Sequence, residues 1–199
     1  DHRHGDARPR HKIPTLYQRP TTGPERLVLP VLTPGCEWVL AGEGRPTRKL
    51  DGICVRLTLD GARTTWWARR QLRSPDAHRP RGFVETDADP VTGKVVGWEP
   101  LGNTGWGRLM DQAGAGSPLL DPGTYELCGP KVNGNPENLT AHSLIPHGRQ
   151  NLDLPPIPAV PSGAHAVLGQ WLTGQPYEGI VWHHPDGRMA KLKRRDYVR

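Results

Sequence analysis

A lysine followed closely by an acidic residue and a glycine is the clearest candidate for chemistry in this sequence. Lys49-Leu50-Asp51-Gly52 offers an amine that becomes a nucleophile once it loses its proton, a carboxylate two residues later, and a glycine whose backbone a ligand can approach closely. The pattern alone is weak, because short patterns of common residues recur by chance. On these grounds alone, a solvated lysine ahead of a turn is the favoured explanation.

A second candidate lies in a β-hairpin predicted near the C-terminus. Glu178 to His183 forms its first strand, a Pro-Asp-Gly segment turns the chain, and Met189 to Arg194 returns. Side chains alternate along a strand, so Lys191 and Lys193 share one face, where two ammonium groups need an anion between them. The structural alternatives are that these lysines guard an edge strand against aggregation and that Glu178 merely pairs with a strand lysine.

The elements around these residues predict a β-rich α+β protein. With 22 prolines and 24 glycines in 199 residues, long helices are not expected to dominate. A hairpin over Cys54–Leu59 and Thr64–Arg69 starts directly after the Lys49 segment. One amphipathic helix, capped by Ser162, is expected to end at Gly174. The other expected elements are a strand over Tyr125–Gly129, a polar loop over Lys131–Asn138 and a turn-rich surface excursion over Gly82–Gly97.

Composition and charge indicate the compartment and a class of partner. The three cysteines form no CxxC pair and no zinc-type spacing, and no apolar run reaches transmembrane length, which favours a reduced, soluble protein of the cytoplasm without a membrane partner. A net charge of +6 suits a polyanion such as nucleic acid, although it also serves solubility. Residues 1–26 are expected to form a basic, proline-rich, loosely held arm.

The order of the motifs along the chain supports Lys49 as a candidate nucleophile. Five elements resemble motifs I, Ia, III, IV and V of the ligase and capping-enzyme superfamily, in that order: Lys49-x-Asp51-Gly52, Arg69, Tyr125-Glu126-Leu127-x-Gly129, Glu178-Gly179-Ile180-Val181 and Lys191-x-Lys193. Further segments resemble the vertebrate 5′-to-3′ RNA ligase family: Pro46-Thr47, Trp67-Ala68-Arg69, Gly97-Trp98-x-Pro100, Asn133-Gly134-Asn135-Pro136, Leu144-Ile145-Pro146-His147-Gly148, Trp182-His183 and Asp186-Gly187. The similarity runs from about residue 46 to about residue 195.

The resemblance implies a fold and a reaction. The fold is a single ligase-type adenylation domain over residues 27–199, with two antiparallel β-sheets, flanking helices and no OB-fold domain. The reaction joins an RNA 5′-phosphate to a 3′-hydroxyl with ATP and Mg²⁺ or Mn²⁺, through AMP attached to Lys49, as in RNA repair. RNA ends are the expected partner, and a kinase or phosphatase that prepares them is a further candidate, while the sequence leaves the oligomeric state open.

The resemblance also implies roles for individual residues. Catalysis falls to Lys49, Asp51, Glu178, Lys191 and Lys193, with Glu178 and Asp51 as metal ligands. The ATP contacts add Thr47, Arg48, Gly52, Arg69 and Glu126, where Arg69 and Glu126 engage the ribose hydroxyls, and RNA contacts are expected from Arg70, Arg73, Asn133, Asn135 and Arg194. Arg48 departs from the family, which usually has glutamate before the lysine.

Two alternatives share this fold. One is a nucleotidyltransferase that uses another nucleotide or modifies a protein. The other is a basic RNA-binding module that forms no covalent adduct. Formation of an adduct with labelled nucleotide separates both from the ligase hypothesis.

Overall fold

The computed structural model describes residues 12–23 and 26–198, and within them the chain is an α+β protein with two antiparallel sheets. The chain divides into two compact units. The first unit is built from Ile13–Leu50 and Gly148–Arg199, and the second mainly from Asp51–His147. The described residues contain no helix long and apolar enough to cross a bilayer. The predicted α+β class with two antiparallel sheets is confirmed, whereas the single catalytic domain over 27–199 stays a prediction.

The first unit is a three-stranded sheet with helices on one face. Its strands are β1 (Arg45–Lys49), β8 (Gly179–His183) and β9 (Met189–Lys193), in the order β1-β8-β9. The helices are α1 (Glu37–Leu40), α3 (Pro161–Thr173) and a 3₁₀ turn (Arg194–Asp196). Alternate residues of β8 and β9 are buried and pack against α3, so one face of the sheet forms the core: Ile180, Trp182, Ala190, Leu192, Leu168 and Leu172.

The second unit is a six-stranded antiparallel sheet with the strand order β4-β5-β3-β2-β6-β7. Its strands are β2 (Ile53–Asp60), β3 (Arg63–Leu72), β4 (Val84–Ala88), β5 (Val95–Pro100), β6 (Gly123–Cys128) and β7 (Ser143–Pro146). A 3₁₀ turn (Leu101–Asn103) and the helix α2 (Gly107–Gln112) follow β5. One face of this sheet packs against α2 and forms a second core: Val55, Leu57, Tyr125, Leu127, Leu109 and Met110.

Both predicted hairpins and the amphipathic helix are confirmed. Two other details of the prediction differ from the structure, namely the residue that caps the helix and the segment Gly82–Gly97. The helix begins at Pro161 with Val160 as its N-cap, so the prediction that Ser162 caps it is wrong. Proline suits the first helical position because its missing N–H would find no partner there. The excursion predicted over Gly82–Gly97 contains β4 and the start of β5, because an edge strand can be polar and β4 carries a register shift between Glu85 and Asp87.

The described part of the predicted N-terminal arm is held more tightly than expected. Leu16 and Tyr17 are fully buried in the first core, and the backbone N–H of Leu16 donates to the carbonyl of Lys191 at 2.8 Å. The N–H of Lys191 donates in turn to the carbonyl of Pro14 at 2.9 Å. This segment therefore extends the sheet beside β9, and the expectation of a loose arm is wrong for it. Residues 1–11, 24 and 25 lie outside the described residues.

A buried carboxylate fastens this N-terminal segment to the end of β9. Asp196 is 2% exposed, and its Oδ1 accepts a hydrogen bond from Nη2 of Arg19 at 2.5 Å. Its Oδ2 accepts one from the backbone N–H of Lys193 at 2.7 Å. Both carboxylate oxygens are therefore bonded, as a buried charge requires. The same residue thus holds the N-terminal segment and the strand end that carries Lys193.

Removal of the arginine partner tests this clamp. We expect Arg19→Ala to lower the free energy of unfolding by about 1–3 kcal/mol, because it leaves a buried carboxylate oxygen without its cation. The lower part of this range is favoured because the Arg19 side chain is 37% exposed. Urea denaturation measures the change. Arg63→Ala, at an exposed position in the β2–β3 hairpin, is the control and should change stability by less than about 0.5 kcal/mol. Equal effects of the two substitutions would contradict the clamp.

Candidate active site

The predicted nucleophile and phosphate-binding lysines lie on one face of the three-stranded sheet. Lys49 pairs in register with Gly179 of β8, and Gly179 pairs with Lys193 of β9. Two residues along each strand, Thr47, Val181 and Lys191 form a parallel row. Residues directly opposite one another, and those two apart on a strand, share a face. The sheet therefore presents Lys49, Lys191 and Lys193 together, as the sequence predicted.

Lys49, Gly179 and Lys193 lie side by side across the three strands, and we call them the lysine row. Glycine at the centre of this row is a packing requirement. A Cβ atom added at Gly179 would lie 2.3 Å from the carbonyl oxygen of Leu192 and 3.0 Å from Cα of Lys193. Backbone atoms at these distances cannot move aside without disturbing β9. Gly179 also leaves no side chain between Lys49 and Lys193, which share its row. The gap between the two lysines therefore stays open.

Lys49 is held by Glu178. Its Nζ donates to both carboxylate oxygens of Glu178 at 3.0 Å. The two side chains are 24% and 21% exposed, so water reaches the pair but does not surround it. A partly buried ammonium with a two-point contact to one carboxylate has a fixed position. Any reaction of Lys49 as a nucleophile must break this ion pair.

The pKa of Lys193 reflects the burial and the charges on this face of the sheet. The pKa of its half-buried ammonium is lowered from the ordinary value, first by burial and then by the positive charges of Arg195 and Lys49, while Glu178 and Asp196 act in the opposite direction. Burial disfavours a charged group, and neighbouring cations add to that effect. The lysine row is therefore a region of excess positive charge, which an anion such as phosphate would relieve.

Two residues predicted to bind ATP have other contacts in the first unit. Thr47 is 1% exposed, and its hydroxyl donates to the carbonyl of Val181 at 2.9 Å and lies 3.1 Å from Nε2 of His183. Arg48 pairs with Ile180, so its side chain lies on the core side of the sheet, where its guanidinium stacks on Tyr177 at 4.5 Å. Because Arg48 lies on the face opposite the lysine row, an arginine can replace the usual glutamate without bringing its charge to that row.

The chain passes from the first unit to the second between Leu50 and Asp51. Within the second unit, Nδ2 of Asn133 donates to Oδ1 of Asp51 at 3.0 Å and to the carbonyl of Gly52 at 3.2 Å. The backbone N–H of Asp51 donates to Oε1 of Glu137 at 3.0 Å. A Cβ atom at Gly52 would lie 2.2 Å from the carbonyl oxygen of Leu127. Glycine is thus required at this position by the fold itself.

The loop after β6 is therefore a brace for the segment that follows the lysine. Asn133 and Asn135 adopt left-handed backbone angles, with φ of 49° and 59°, which asparagine tolerates better than most residues. Asn135 bonds reciprocally with the backbone of Leu139, at 3.0 Å in both directions. The sequence assigned both asparagines to RNA, and the structure gives them these internal contacts. The Asn-Gly-Asn turn was visible in the sequence, but its target was not.

The arginines of β3 separate by face. Arg69 pairs with Trp98, on the sheet face opposite the buried Ala68. Arg70 lies on the core side and pairs with Glu99, with 3.5 Å between Nη1 and Oε1 and a Glu99 side chain that is 7% exposed. Arg73 follows the end of β3 and is exposed. Arg69 therefore faces away from the core, whereas Arg70 lies on the core side beside Glu99, and its contact with RNA stays a prediction.

Glu126 and Arg69 share a sheet face, and Glu126 has a partner that the sequence did not single out for this role. Cys54 pairs with Glu126, and continuing the β2–β3 register by one residue places Cys54 opposite Arg69. Nε2 of His147 lies 2.5 Å from Oε2 of Glu126, and Nδ1 of His147 lies 2.5 Å from the hydroxyl of Thr124. The register of β6 with β7 brings His147 to Glu126, and this pairing leaves no local signal in the sequence.

The last predicted RNA residue lies near the C-terminus. Nε of Arg194, in the 3₁₀ turn after β9, donates to the carbonyl of Thr173 at 3.3 Å. Its side chain is exposed. The contact to the end of α3 is compatible with further contacts from the remaining guanidinium donors.

The described residues could offer single carboxylates to a metal. They contain no cluster of three or more histidine, cysteine, aspartate or glutamate side chains that could enclose an ion. Mg²⁺ is often held by one or two carboxylates together with phosphate oxygens and water. Glu178, beside the lysine row, fits that arrangement. The three cysteines are unbridged, and none belongs to such a cluster.

Comparison with known proteins agrees with this geometry. The family model for RNA ligase 1 matches residues 117–198. An RNA ligase 1 of Pongo abelii is 40% identical over 220 aligned positions, which cover 75% of this chain and 66% of that protein. RNA ligase 1 of Danio rerio is 31% identical over 132 positions, covering 51% of this chain and 40% of that protein.

The chain spans about two thirds of the length of the Pongo abelii protein and less of the Danio rerio protein. The matched region of the family model begins before β6 and includes Glu126, His147, Glu178, Lys191 and Lys193. The order of motifs, the lysine row and these matches agree with one another, and the chain belongs to the RNA ligase 1 family.

Proposed function

We propose that this protein is an ATP-dependent RNA ligase that works through AMP bound covalently to Lys49. The observation that carries the proposal is the placement of Lys49 in one sheet row with Lys193, with its Nζ 3.0 Å from both oxygens of Glu178. In this row, Lys193 can neutralise charge on a phosphate that Lys49 attacks, and Glu178 fixes the position of the Lys49 amine. Neither feature is needed in a lysine that is simply solvated.

The first step forms a nitrogen–phosphorus bond. The neutral amine of Lys49 attacks the α-phosphorus of ATP, the bond to the pyrophosphate oxygen breaks, and the nitrogen loses its remaining extra proton to solvent. An ammonium has no lone pair for this attack, so Lys49 must first lose a proton to solvent and leave its contact with Glu178. Glu178 therefore stores the nucleophile in a fixed, unreactive form until substrate arrives.

The neighbouring lysines stabilise the charge that builds up during transfer. Phosphoryl transfer spreads negative charge over the phosphate oxygens, and enzymes act chiefly by positioning and by neutralising that charge. Lys193 shares the row of Lys49, and Lys191 lies one row along on the same face. We assign both to the α-phosphate. Burial lowers the pKa of Lys193 most, and the positive charges of Arg195 and Lys49, which lower it further, are charges that a phosphate would neutralise.

A divalent cation is the second component of the proposal. Mg²⁺ or Mn²⁺ held by Glu178 and the nucleotide phosphates would neutralise phosphate charge and compete with Lys49 for the carboxylate. We retain Asp51 as a residue that orients the lysine segment, since Asn133 and Glu137 fix its carboxylate and its backbone N–H. Its earlier assignment as a direct metal ligand stays a prediction.

The remaining contacts concern sugar and RNA. We assign Arg69 and Glu126 to the ribose hydroxyls, since both lie on the sheet face away from the second core. The AMP would pass to an RNA 5′-phosphate, and a 3′-hydroxyl end would displace it. Arg73 and Arg194, both exposed, are candidates for RNA phosphates. We further propose that the substrates are RNA ends prepared by a kinase or phosphatase. The reaction would then serve RNA repair in the cytoplasm.

Adduct formation tests the nucleophile. With ATP labelled at the α-phosphate and Mg²⁺, the wild-type protein should retain label, and Lys49→Arg should lower the rate by more than about a thousandfold, because arginine keeps the charge but does not deprotonate. Glu178→Gln should lower it by about a hundredfold. Lys131→Arg, the same substitution at an exposed site, is the matched control and should behave as wild type.

Joining of RNA is measured in the same preparation. An RNA with a 5′-phosphate and a 3′-hydroxyl should be joined by wild type and not by Lys49→Arg. An adduct with labelled GTP instead of ATP would replace the proposal with a different nucleotidyltransferase. RNA binding without any adduct would replace it with a non-catalytic RNA-binding module.

The brace on Asp51 gives a second test. Asn133→Asp keeps a residue that tolerates the left-handed backbone, but it removes the amide donor and places a carboxylate against Oδ1 of Asp51. We expect adduct formation to slow by about tenfold or more. Asn138→Asp, in the same loop with a similar φ of 50°, is the control and should leave the rate unchanged. Equal rates for the two variants would show that the brace does not serve the reaction.

A further inference from the structure

We propose that His147 is a positioning residue that sets the orientation of Glu126 and thereby makes the site select ribose over deoxyribose. The inference rests on the proposed function, in which Glu126 meets the ribose hydroxyls of ATP. The histidine itself need not touch the nucleotide. Its task is to occupy one carboxylate oxygen, so that the other is presented in a fixed direction.

The backbone places His147 for this task. Tyr125 of β6 pairs with Pro146 of β7, and the next step of the ladder continues past the end of β7, where the N–H of His147 donates to the carbonyl of Thr124 at 3.2 Å. His147 is therefore opposite Thr124. Thr124 and Glu126 are two residues apart on β6, so all three side chains share one face.

The side chains then form a continuous chain of hydrogen bonds. Nδ1 of His147 lies 2.5 Å from the hydroxyl of Thr124, and Nε2 lies 2.5 Å from Oε2 of Glu126. A carboxylate can only accept, so Nε2 carries a proton and donates it to Glu126. The carboxylate thereby fixes the tautomer, and in the neutral ring Nδ1 then accepts a hydrogen bond from the Thr124 hydroxyl. Thr124 is thus the residue that orients the histidine.

Burial makes the arrangement rigid. Thr124 is 5% exposed, and the side chains of Glu126 and His147 are 12% and 31% exposed. Water therefore competes weakly for the bonds between them, and Glu126 lies on a strand that is paired on both sides, with Cys54 and Ile145. A carboxylate fixed in this way pays little conformational entropy when a ligand hydroxyl donates to its second oxygen.

A fixed acceptor supplies discrimination that a mobile one cannot. When a site is built to bond a substrate hydroxyl, a substrate without that hydroxyl leaves a buried acceptor unpaired, and this is the strong form of selectivity. A Glu126 free to rotate could turn toward water when the hydroxyl is missing and escape the penalty. His147 prevents that rotation by its bond to Oε2. Loss of His147 should therefore reduce the preference for ATP over a deoxy analogue.

The experiment measures adduct formation with ATP, 2′-deoxy-ATP and 3′-deoxy-ATP, each over a range of concentrations, in the full chain. Wild type should prefer ATP over at least one deoxy analogue. His147→Leu should lower kcat/KM for ATP by about tenfold, mainly through KM, and leave that analogue nearly unchanged. His147→Gln, which retains an N–H donor, should restore part of the preference. His78→Leu, at an exposed position of the same unit, should match wild type.

A purely structural role would predict different results. If His147→Leu slows ATP and the deoxy analogues by the same factor, or if wild type does not discriminate between them, the inference is overturned while the ligase proposal stands. If wild type forms no adduct with any of these nucleotides, the proposed function fails and the ribose role fails with it. These two failures are therefore distinguishable.

A direct measurement covers the case in which His147→Leu does not fold. Nitrogen NMR of the wild-type imidazole, assigned by its loss in His147→Gln, should show Nε2 protonated and Nδ1 accepting a hydrogen bond. Thr124→Val, which removes the hydroxyl with little change in shape, should remove the hydrogen bond to Nδ1 and leave Nε2 protonated by its bond to Glu126. A wild-type ring that already averages between tautomers would overturn the proposed positioning.

Discussion

In the three-stranded sheet, the core and the lysine row lie on opposite faces because successive side chains of a strand point in opposite directions. Ile180, Ala190 and Leu192 fill the core, and on β9 Lys191 and Lys193 alternate with Ala190 and Leu192 on the other face. A shift of one residue in the pairing of β8 with β9 would bury the lysines and expose the core. Hydrophobic burial therefore fixes the face on which Lys49, Lys191 and Lys193 meet.

The ion pair between Lys49 and Glu178 depends on this register. Lys49 pairs with Gly179, the residue directly after Glu178, and the chain N-terminal to β8 brings the carboxylate to 3.0 Å from the amine. The buried carboxylate of Asp196 fixes the far end of β9 through its bond to the backbone of Lys193. The positions of the charged groups thus follow from backbone pairing and from one buried aspartate, more than from their attraction to one another.

The second unit applies the same rule to polar contacts. Its sheet separates Arg69 from Arg70 by a single step of alternation, and it sets Glu126 two residues from Thr124 so that His147 can bond to both. The loop after β6 holds Asp51 through Asn133. These bonds orient two carboxylates that the proposed reaction uses. Both carboxylates are positioned by neighbours that have no catalytic part themselves.

The sequence alone predicted the features that depend on local periodicity. Alternation predicted both hairpins and the shared face of Lys191 and Lys193, and apolar spacing predicted the helix. It missed β4, because a polar edge strand lacks alternation, and it missed the pairing of the segment around Leu16 with β9, because pairing between distant segments leaves no local signal. The brace from Asn133 and the bond from His147 were hidden for the same reason.

The location of AMP on the protein tests the central claim most directly. After incubation with ATP and Mg²⁺ at neutral pH, the protein is digested under conditions that preserve a phosphoramidate, and the modified peptide is identified by tandem mass spectrometry. The account predicts one AMP on the peptide that contains Lys49, attached to that side chain and lost on treatment with acid. AMP on a different residue, or an unmodified Lys49 in protein that still joins RNA, would contradict it.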